Sequence, residues 1–301
     1  MKTSIVWFKT DLRLLDNETL IKAITQSEQV VPVYCFDDSH FETTPYGFKK
    51  TGFYRAQFLL ESLQDLDTNL RKAGSGLLIL RGKPEVEIPK IVAKYGAKKV
   101  FAKREVAFEE KQTEKKVQDT LFKLRCELET FSTSTLYHAE DLPFSIKDIP
   151  DVFTVFRKKT EQDASVRNIF KSPLKLNSPE IPALELPTLK DLDLKLTKID
   201  FRAAIQFKGG ETEAMNRLNY YFFESKKLSE YKETRNGMVG ADYSSKFSAC
   251  LAMGCISPRL IYDQIKKYEK INGANDSTYW MVFELLWRDF FRFMFKKYQT
   301  K

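Results

Sequence analysis

Three serines, Ser244, Ser245 and Ser248, open a run with amphipathic spacing at Phe247, Leu251 and Cys255. That pattern predicts a helix beginning at the hydroxyls. Free N–H groups and the positive end of the dipole make such a start a place for phosphate. The plainer role for Ser244 is a helix cap. The second chemical feature is a carboxylate, Glu284, in N-D-S-T-Y-W-M-V-F-E-L-L-W-R-D-F-F-R-F. This run predicts a helix capped by Asn275 or Asp276. Positions 280, 284, 287, 291 and 294 fall on one face, so Glu284 shares a stripe with Trp280, Trp287, Phe291 and Met294. Phe283, Leu286, Phe290 and Phe293 cover the adjoining face, and the helix reads as largely buried. A carboxylate there is costly unless it has a partner or a task. The plainer alternatives are an arginine partner for Glu284 and a core role for both tryptophans.

Stepping outward, residues 1–135 alternate strand and helix. Buried-strand runs rich in Val, Ile, Leu and Phe occur at Ser4–Phe8, Val30–Phe36, Leu77–Leu80, Lys99–Ala102 and Glu127–Phe131. Helical patterns fill the gaps at Glu18–Thr25, Arg55–Ala73, Glu85–Tyr95 and Glu109–Leu124. Such alternation predicts right-handed crossovers and a doubly wound, parallel, five-stranded sheet. Ligands on these sheets bind beyond the carboxyl ends of the strands. No G-x-G-x-x-G is present, and Gly76–Pro84 has the wrong spacing for a P-loop, so Gly82–Pro84 reads as a strand-to-helix turn. Asp16 or Asn17 would cap the first helix, with Arg13 pairing a carboxylate.

Regular patterning lapses over 136–200, where prolines cluster from Pro143 to Pro187. The expectation is a long linker with a short helix at Val152–Glu161, wrapped on the first domain. Residues 201–301 turn α-helical: a helix over Glu211–Glu224, a polar loop over Lys226–Asn236, and a helix over Arg259–Lys270 with Leu260, Ile261, Ile265 and Tyr268 inward. The fold class is therefore α/β followed by all-α.

Composition narrows the function classes. Four cysteines without C-x-x-C pairing and two histidines speak against a zinc site and for free thiols in a reducing compartment. No apolar run approaches the roughly 20 residues of a membrane helix. A strand-like segment begins almost at Met1, leaving no room for a signal or transit peptide, so an intracellular, cytoplasmic address is expected. Residues 201–301 carry 17 Lys and Arg against 11 Asp and Glu. That excess would draw a polyanion such as nucleic acid, although a lysine-rich solvated surface would look the same.

Three stretches taken together, W-F-K-T-D-L-R-L-L-D-N, D-Y-S-S-K-F-S and E-L-L-W-R-D-F-F-R-F, resemble the photolyase/cryptochrome family, and within it the cryptochrome DASH subgroup. The resemblance runs over essentially the whole chain. It implies an α/β antenna domain over 1–135, an interdomain linker over 136–200, and over 201–301 an amino-terminal part of a helical domain that binds flavin adenine dinucleotide (FAD). It also implies roles by motif position. Tyr231, Ser244, Ser245, Lys246, Phe247, Ser248 and Trp280 would contact FAD, Ser244 to Ser248 through the pyrophosphate. Glu284 would hydrogen-bond the bases of a cyclobutane pyrimidine dimer and Trp287 would stack on them. Arg235 would take a DNA phosphate, and Arg288 a phosphate or an ion pair. In the first domain the resemblance implies an antenna pigment, a folate (5,10-methenyltetrahydrofolate) or a deazaflavin, with Glu105 as its contact.

The implied reaction is blue-light-driven dimer splitting by reduced FAD, chiefly in single-stranded DNA, by a monomer. RNA is the alternative partner. Rival readings are a non-repairing blue-light receptor or nucleic-acid-binding regulator, and a truncated product without cofactor. Cys250 stands where DASH proteins commonly carry tryptophan. The histidine pair of (6-4) photolyases has no counterpart in residues 201–301. The family's later flavin contacts and its tryptophan relay also have none in this sequence.

Overall fold

The structure is a computed structural model describing residues 2–195, 197 and 200–299. Its first half is built on five parallel strands: β1 (Thr3–Phe8), β2 (Gln29–Phe36), β3 (Leu78–Arg81), β4 (Lys99–Lys103) and β5 (Glu127–Phe131). Their spatial order is β3-β2-β1-β4-β5, the doubly wound arrangement, with the chain reversing direction across the sheet between β1 and β4. The connecting helices are α1 (Glu18–Gln26), α2 (Phe53–Lys72), α3 (Pro84–Tyr95) and α4 (Phe108–Lys123). Because side chains alternate along a strand, β1 feeds two cores. Ile5 and Trp7 pack with Ile88, Val92, Val117 and Leu121 of α3 and α4, while Val6 and Phe8 join Leu20 of α1 and Leu63 and Leu66 of α2. Burial on both faces is why residues 5–8 of β1 read as a continuous apolar run.

The second core continues without a break into the helical half. Between the halves, residues 176–181 run along the sheet domain. Asn177 and Ser178 hydrogen-bond the ends of the Glu28–Val30 segment, Leu176 N–H reaches Ala73, and Ile181 enters the smaller core. One linker helix, α5 (Phe153–Asp163), lies where a short helix was expected. The remaining helices are α6 (Glu211–Asn219), α7 (Tyr231–Thr234), α8 (Ser248–Met253), α9 (Pro258–Asn272) and α10 (Asp276–Tyr298).

Buried polar contacts fix the two halves to each other. Asp16, fully buried, accepts from Arg259 (2.7 and 3.1 Å), from the Ser257 hydroxyl (2.5 Å) and from the Phe170 N–H (3.1 Å). Glu211 accepts from the N–H groups of Leu14 and Leu15, both at 2.8 Å. Gly254, at φ 69°, lies so close to Thr10 and Asp11 that a Cβ there would collide with their backbone.

Of the two candidate caps of α1, Asn17 is the one used, which leaves Asp16 to Arg259. Three local expectations need correction. Arg13 donates to the carbonyls of Leu15, Asp16, Thr133 and Gly254 where a carboxylate partner was expected. The helix expected over Glu211–Glu224 stops as α-helix at Asn219 and ends in a π-helical turn, Tyr220–Glu224. The polar stretch Lys226–Asn236 is not a loop: it contains a 3₁₀ turn, Lys227–Glu230, and α7. Tertiary bonds supply what periodicity lacked, with the Lys232 N–H on the Ser277 hydroxyl (3.0 Å) and Asn275 Nδ2 on the Ser229 carbonyl (3.0 Å).

Candidate functional site

The serine run is organised by a residue far from it in sequence. Arg217 of α6 donates to the carbonyls of Ala241 (2.7 Å), Ser244 (3.2 Å) and Ser245 (3.1 Å) and pairs with Asp242 (3.3 Å). Its guanidinium also lies over Tyr221, 5.1 Å from the ring centre, in the π-helical turn. π-helical turns are frequent at functional sites because the extra residue re-aims its neighbours. Nothing in the sequence around Arg217 marks this role.

Held this way, the hydroxyls of Ser244, Ser245 and Ser248 have no hydrogen-bond partner among the described residues, and Lys246 has no carboxylate partner there. Lys246 adopts a left-handed backbone, φ 60°, immediately before α8. The plainer cap role falls away: Phe247 occupies the N-cap position and no side chain caps the helix. Phe247 is buried, edge-on to Phe222 at 6.0 Å. The helix is shorter than its pattern suggested, since α8 ends at Met253 and Gly254 turns the chain before Cys255. Six residues carry a small dipole, so the hydroxyls and Lys246 supply most of any anion affinity.

The carboxylate stripe belongs to α10. Asn275 caps it in a capping box with Thr278. The buried face is Met281, Val282, Leu285, Leu286, Asp289, Phe290 and Phe293. The stripe of Trp280, Glu284, Trp287 and Phe291 is the more open side, contrary to the expectation of a helix largely buried all round. Glu284 accepts from Arg235 Nη1 at 2.7 Å, and the two side chains are 32% and 28% exposed. The same guanidinium sits 5.4 Å from the Trp280 ring centre, with Lys232 at 5.3 Å from it. Tyr231, at the start of α7, is buried beside them. Burial first, and the nearby Glu284 charge second, push its hydroxyl up to about 12. Two donors are left over: Nε1 of Trp280 and the Tyr221 hydroxyl are shielded from solvent without a partner among the described residues.

Two expected contacts are occupied by protein. Trp287 stacks on Phe153 of α5, with ring centres 3.6 Å apart and planes 13° apart. Arg288 donates to the carbonyls of Ser134 and Leu251. Burial, and then the like charge of Arg292, lower its guanidinium to about 10. Arg288 is thus placed as a backbone clamp between the linker and α8.

A separate cleft of about 390 Å³ opens beyond the carboxyl ends of β1, β2 and β4, at the point where the strand order reverses. Glu105 is on its wall and meets Lys103 at 3.2 Å. Burial favours the neutral acid of Glu105, but Lys103, Lys9 and Arg292 outweigh it and hold the carboxyl below its ordinary value. Met253 of α8 and Arg292 of α10 complete the wall, so the serine helix and the Glu284 helix both reach the cleft.

The DNA photolyase family model matches residues 4–180, more than half of the chain. The chain belongs to the photolyase/cryptochrome family. Within that family it is similar to proteins named cryptochrome DASH. That of Gloeobacter violaceus is 48% identical over 300 residues, covering 99% of this chain and 60% of the relative. That of Danio rerio is 46% identical over 305 residues, covering 100% and 59%. Among solved structures, the Synechocystis sp. PCC6803 cryptochrome superposes with a TM-score of 0.95 at 47% identity, covering 99% of this chain and 62% of that one. A class III photolyase from Agrobacterium tumefaciens does so at 0.81 and 26%, covering 99% and 60%. The chain spans about three-fifths of the length of these photolyase and cryptochrome relatives. Among the described residues no helix is long and apolar enough to cross a membrane, and no cluster of His, Cys, Asp and Glu could hold a metal ion.

Proposed function

We propose that the chain contributes the FAD cradle and lesion-facing helix of a DASH-type photolyase acting on cyclobutane pyrimidine dimers, chiefly in single-stranded DNA. The observation that carries this reading is the meeting of Tyr231, Arg235, Trp280 and Glu284 across α7 and α10 in a chain of this family. FAD fits the residues present. Three unpartnered hydroxyls and Lys246 suit its pyrophosphate, and the unpaired Nε1 of Trp280 is a donor awaiting an acceptor. When bound and reduced, FAD would supply under blue light the electron that splits the dimer and is then returned.

The chain's own residues do the rest. Ser244, Ser245, Lys246 and Ser248 bind phosphate oxygens, with Phe247 anchoring their loop in the core. Tyr231 and Trp280 wall the pocket and exclude water. Glu284 offers its second carboxylate oxygen to an N–H on a flipped-out base, while Arg235 holds the first. Trp287 would stack on a base in place of Phe153. The cleft beyond β1 and β4 takes an antenna pigment, a folate in this reading, beside Glu105. The same reading divides the chain into an antenna domain over 1–135, a linker over 136–200 and a flavin-binding segment over 201–301.

Two observations favour a second reading, a blue-light receptor that does not repair. Trp287 is already stacked on Phe153, and Glu284 is already paired with Arg235. One experiment separates the two. Purified protein is reconstituted with reduced FAD, mixed with a single-stranded oligonucleotide bearing one thymine dimer, and illuminated with blue light. Restored thymines support repair. Retained flavin, seen by absorbance near about 450 nm, with intact dimers supports the receptor.

A further inference from the structure

We infer that Asp289 is the positioning residue of the α10 face: its carboxylate staples the linker to the helix, so the placement of Trp287 and Glu284 depends on the protonation of one buried carboxyl. The inference deepens the regulation of the proposed site and rests on that reading only for its consequence in repair, since the staple itself is measurable without flavin or DNA.

The geometry is a carboxylate cradled by backbone. Asp289 is fully buried. One oxygen accepts from the N–H of Leu136 at 3.0 Å and the other from the N–H of Tyr137 at 2.9 Å, so both acceptors are spent on consecutive amides 152 or more residues away in sequence. Leu136 and Tyr137 are themselves buried. They lie just after β5, where the chain leaves the sheet and becomes the linker. One residue back on α10, Arg288 holds the Ser134 carbonyl. From the other side, Arg13 reaches the carbonyl of Thr133 at 3.4 Å. Among the described residues, the charged and titratable groups around the carboxylate are Arg288 and Arg292 on α10 and Tyr137 on the linker, with Arg13 beyond the Thr133–Ser134 segment.

None of the cations bonds it directly; Arg288 spends its donors on carbonyls. A buried carboxylate with no ion-pair partner carries a desolvation cost that its two N–H donors must offset, so those donors cannot move away without restoring that cost. Here those donors set the register of α10 on the linker. Farther along the same linker, Phe153 is packed on Trp287 and edge-on to Phe290 at 5.6 Å. The staple and the aromatic stack therefore act at two ends of one linker–helix contact.

Burial raises the carboxyl of Asp289 to about 7, against the lowering pull of the two N–H groups and of Arg288 and Arg292. The ionised form accepts both N–H groups. The protonated form turns one oxygen into a hydroxyl, a poorer acceptor whose proton crowds a facing N–H. The staple is therefore tight above neutrality and slack below it. The linkage has the opposite sense: a folded carboxyl raised above its unfolded value favours the folded state at lower pH, and this contribution is lost as pH rises through about 7. The tight register is thus held at a cost in stability.

The test is amide hydrogen exchange of Leu136 and Tyr137 in the unmodified full chain at about pH 8 and about pH 6, corrected for intrinsic exchange. A carboxyl titrating near 7 is roughly nine-tenths protonated at pH 6, so the two amides should lose up to about tenfold in protection, while core amides of β1 do not. Equal protection at both pH values overturns the inference. As a second readout, Trp287 fluorescence in a variant carrying Trp7→Phe and Trp280→Phe should titrate with the same midpoint. Adding Asp289→Asn should abolish that titration and His138→Gln should leave it intact. Loss of the titration in His138→Gln, or its survival in Asp289→Asn, also overturns it. A chain that shows the staple yet repairs no dimers leaves the inference standing and sinks only the repair reading.

Discussion

Replacing Glu284 with glutamine separates a role in recognition from a role in folding. The side chain bonds Arg235 at 2.7 Å, but both partners are about a third exposed. Solvent screens such a pair, and its contribution to stability is about 1 kcal/mol or less. Glutamine keeps the size and one carbonyl oxygen, so Arg235 retains an acceptor and the urea midpoint should barely move. Recognition is different. If the second carboxylate oxygen accepts an N–H from a flipped base, the change replaces a charge-assisted hydrogen bond worth about 1.5–3 kcal/mol with a weaker one. The corresponding loss in affinity is at most about ten- to 150-fold. It should fall on a dimer-bearing oligonucleotide and not on an undamaged one of the same length, which is held through phosphate contacts. The assay is a pair of titrations with single-stranded oligonucleotides, identical except for one thymine dimer, alongside urea unfolding of both proteins. Equal losses for the two oligonucleotides would assign Glu284 to general electrostatics. A stability loss well above 1 kcal/mol with unchanged discrimination would make Glu284 a structural partner of Arg235 and refute the assignment.

Other perturbations test the scaffold. Asp16→Ala strips Arg259, Ser257 and the Phe170 N–H of their common buried acceptor and should cost about 3–5 kcal/mol in urea unfolding, whereas joint replacement with Arg259→Met should recover much of it. Phe153→Ala removes a buried ring from a stack with Trp287 and should cost about 3 kcal/mol. It should also increase quenching of Trp287 by a bound oligonucleotide; unchanged quenching would show that Phe153 does not guard that face. All four cysteines are buried, and burial pushes the thiols of Cys126 and Cys250 up to about 11 and 12. None should react with a thiol reagent at about pH 8 until denaturant is added; rapid labelling of the native protein would contradict their placement.

The sheet was legible because its signal is local. Residues 30–36 and 5–8 are runs of apolar and aromatic residues since both faces are covered, and the intervening helices carry their own periodicity. The Glu284 stripe was legible as a stripe, but not as the open side of α10. Leu, Phe and Trp on adjoining faces give no sequence cue to which face meets protein. Long-range polar chemistry was illegible for a related reason. Arg217 builds the serine loop and Asp289 holds the linker, yet each sits in a run where a charged residue is ordinary. Arg13 illustrates the error that follows: counting charges assigns it a carboxylate, while five fixed donors inside a protein are as readily satisfied by carbonyls. The helices at Lys227–Thr234 failed for want of length, because a one-turn helix exists only through what packs on it.

Two sites found separately are joined by rigid elements. Glu284 and Arg292 lie eight residues apart on α10, and a helical rise of 1.5 Å per residue puts them about 12 Å apart along the axis. One faces Arg235 and the other lines the cleft beyond β1 and β4. The short helix α8 makes the same connection, with Ser248 at its start and Met253 on the cleft wall. Neither separation can change without breaking helical hydrogen bonds, and Gly254 against Thr10 and Asp11 leaves α8 no room to slide. A pigment in the cleft and a flavin on the serines would therefore be held at a fixed separation by the chain itself. Gly254→Ala tests this directly. The added Cβ forces the end of α8 away from Thr10 and Asp11, just after β1, so ligand affinity should fall in the cleft and at the serine loop together. A change confined to one site would show that the two are positioned independently.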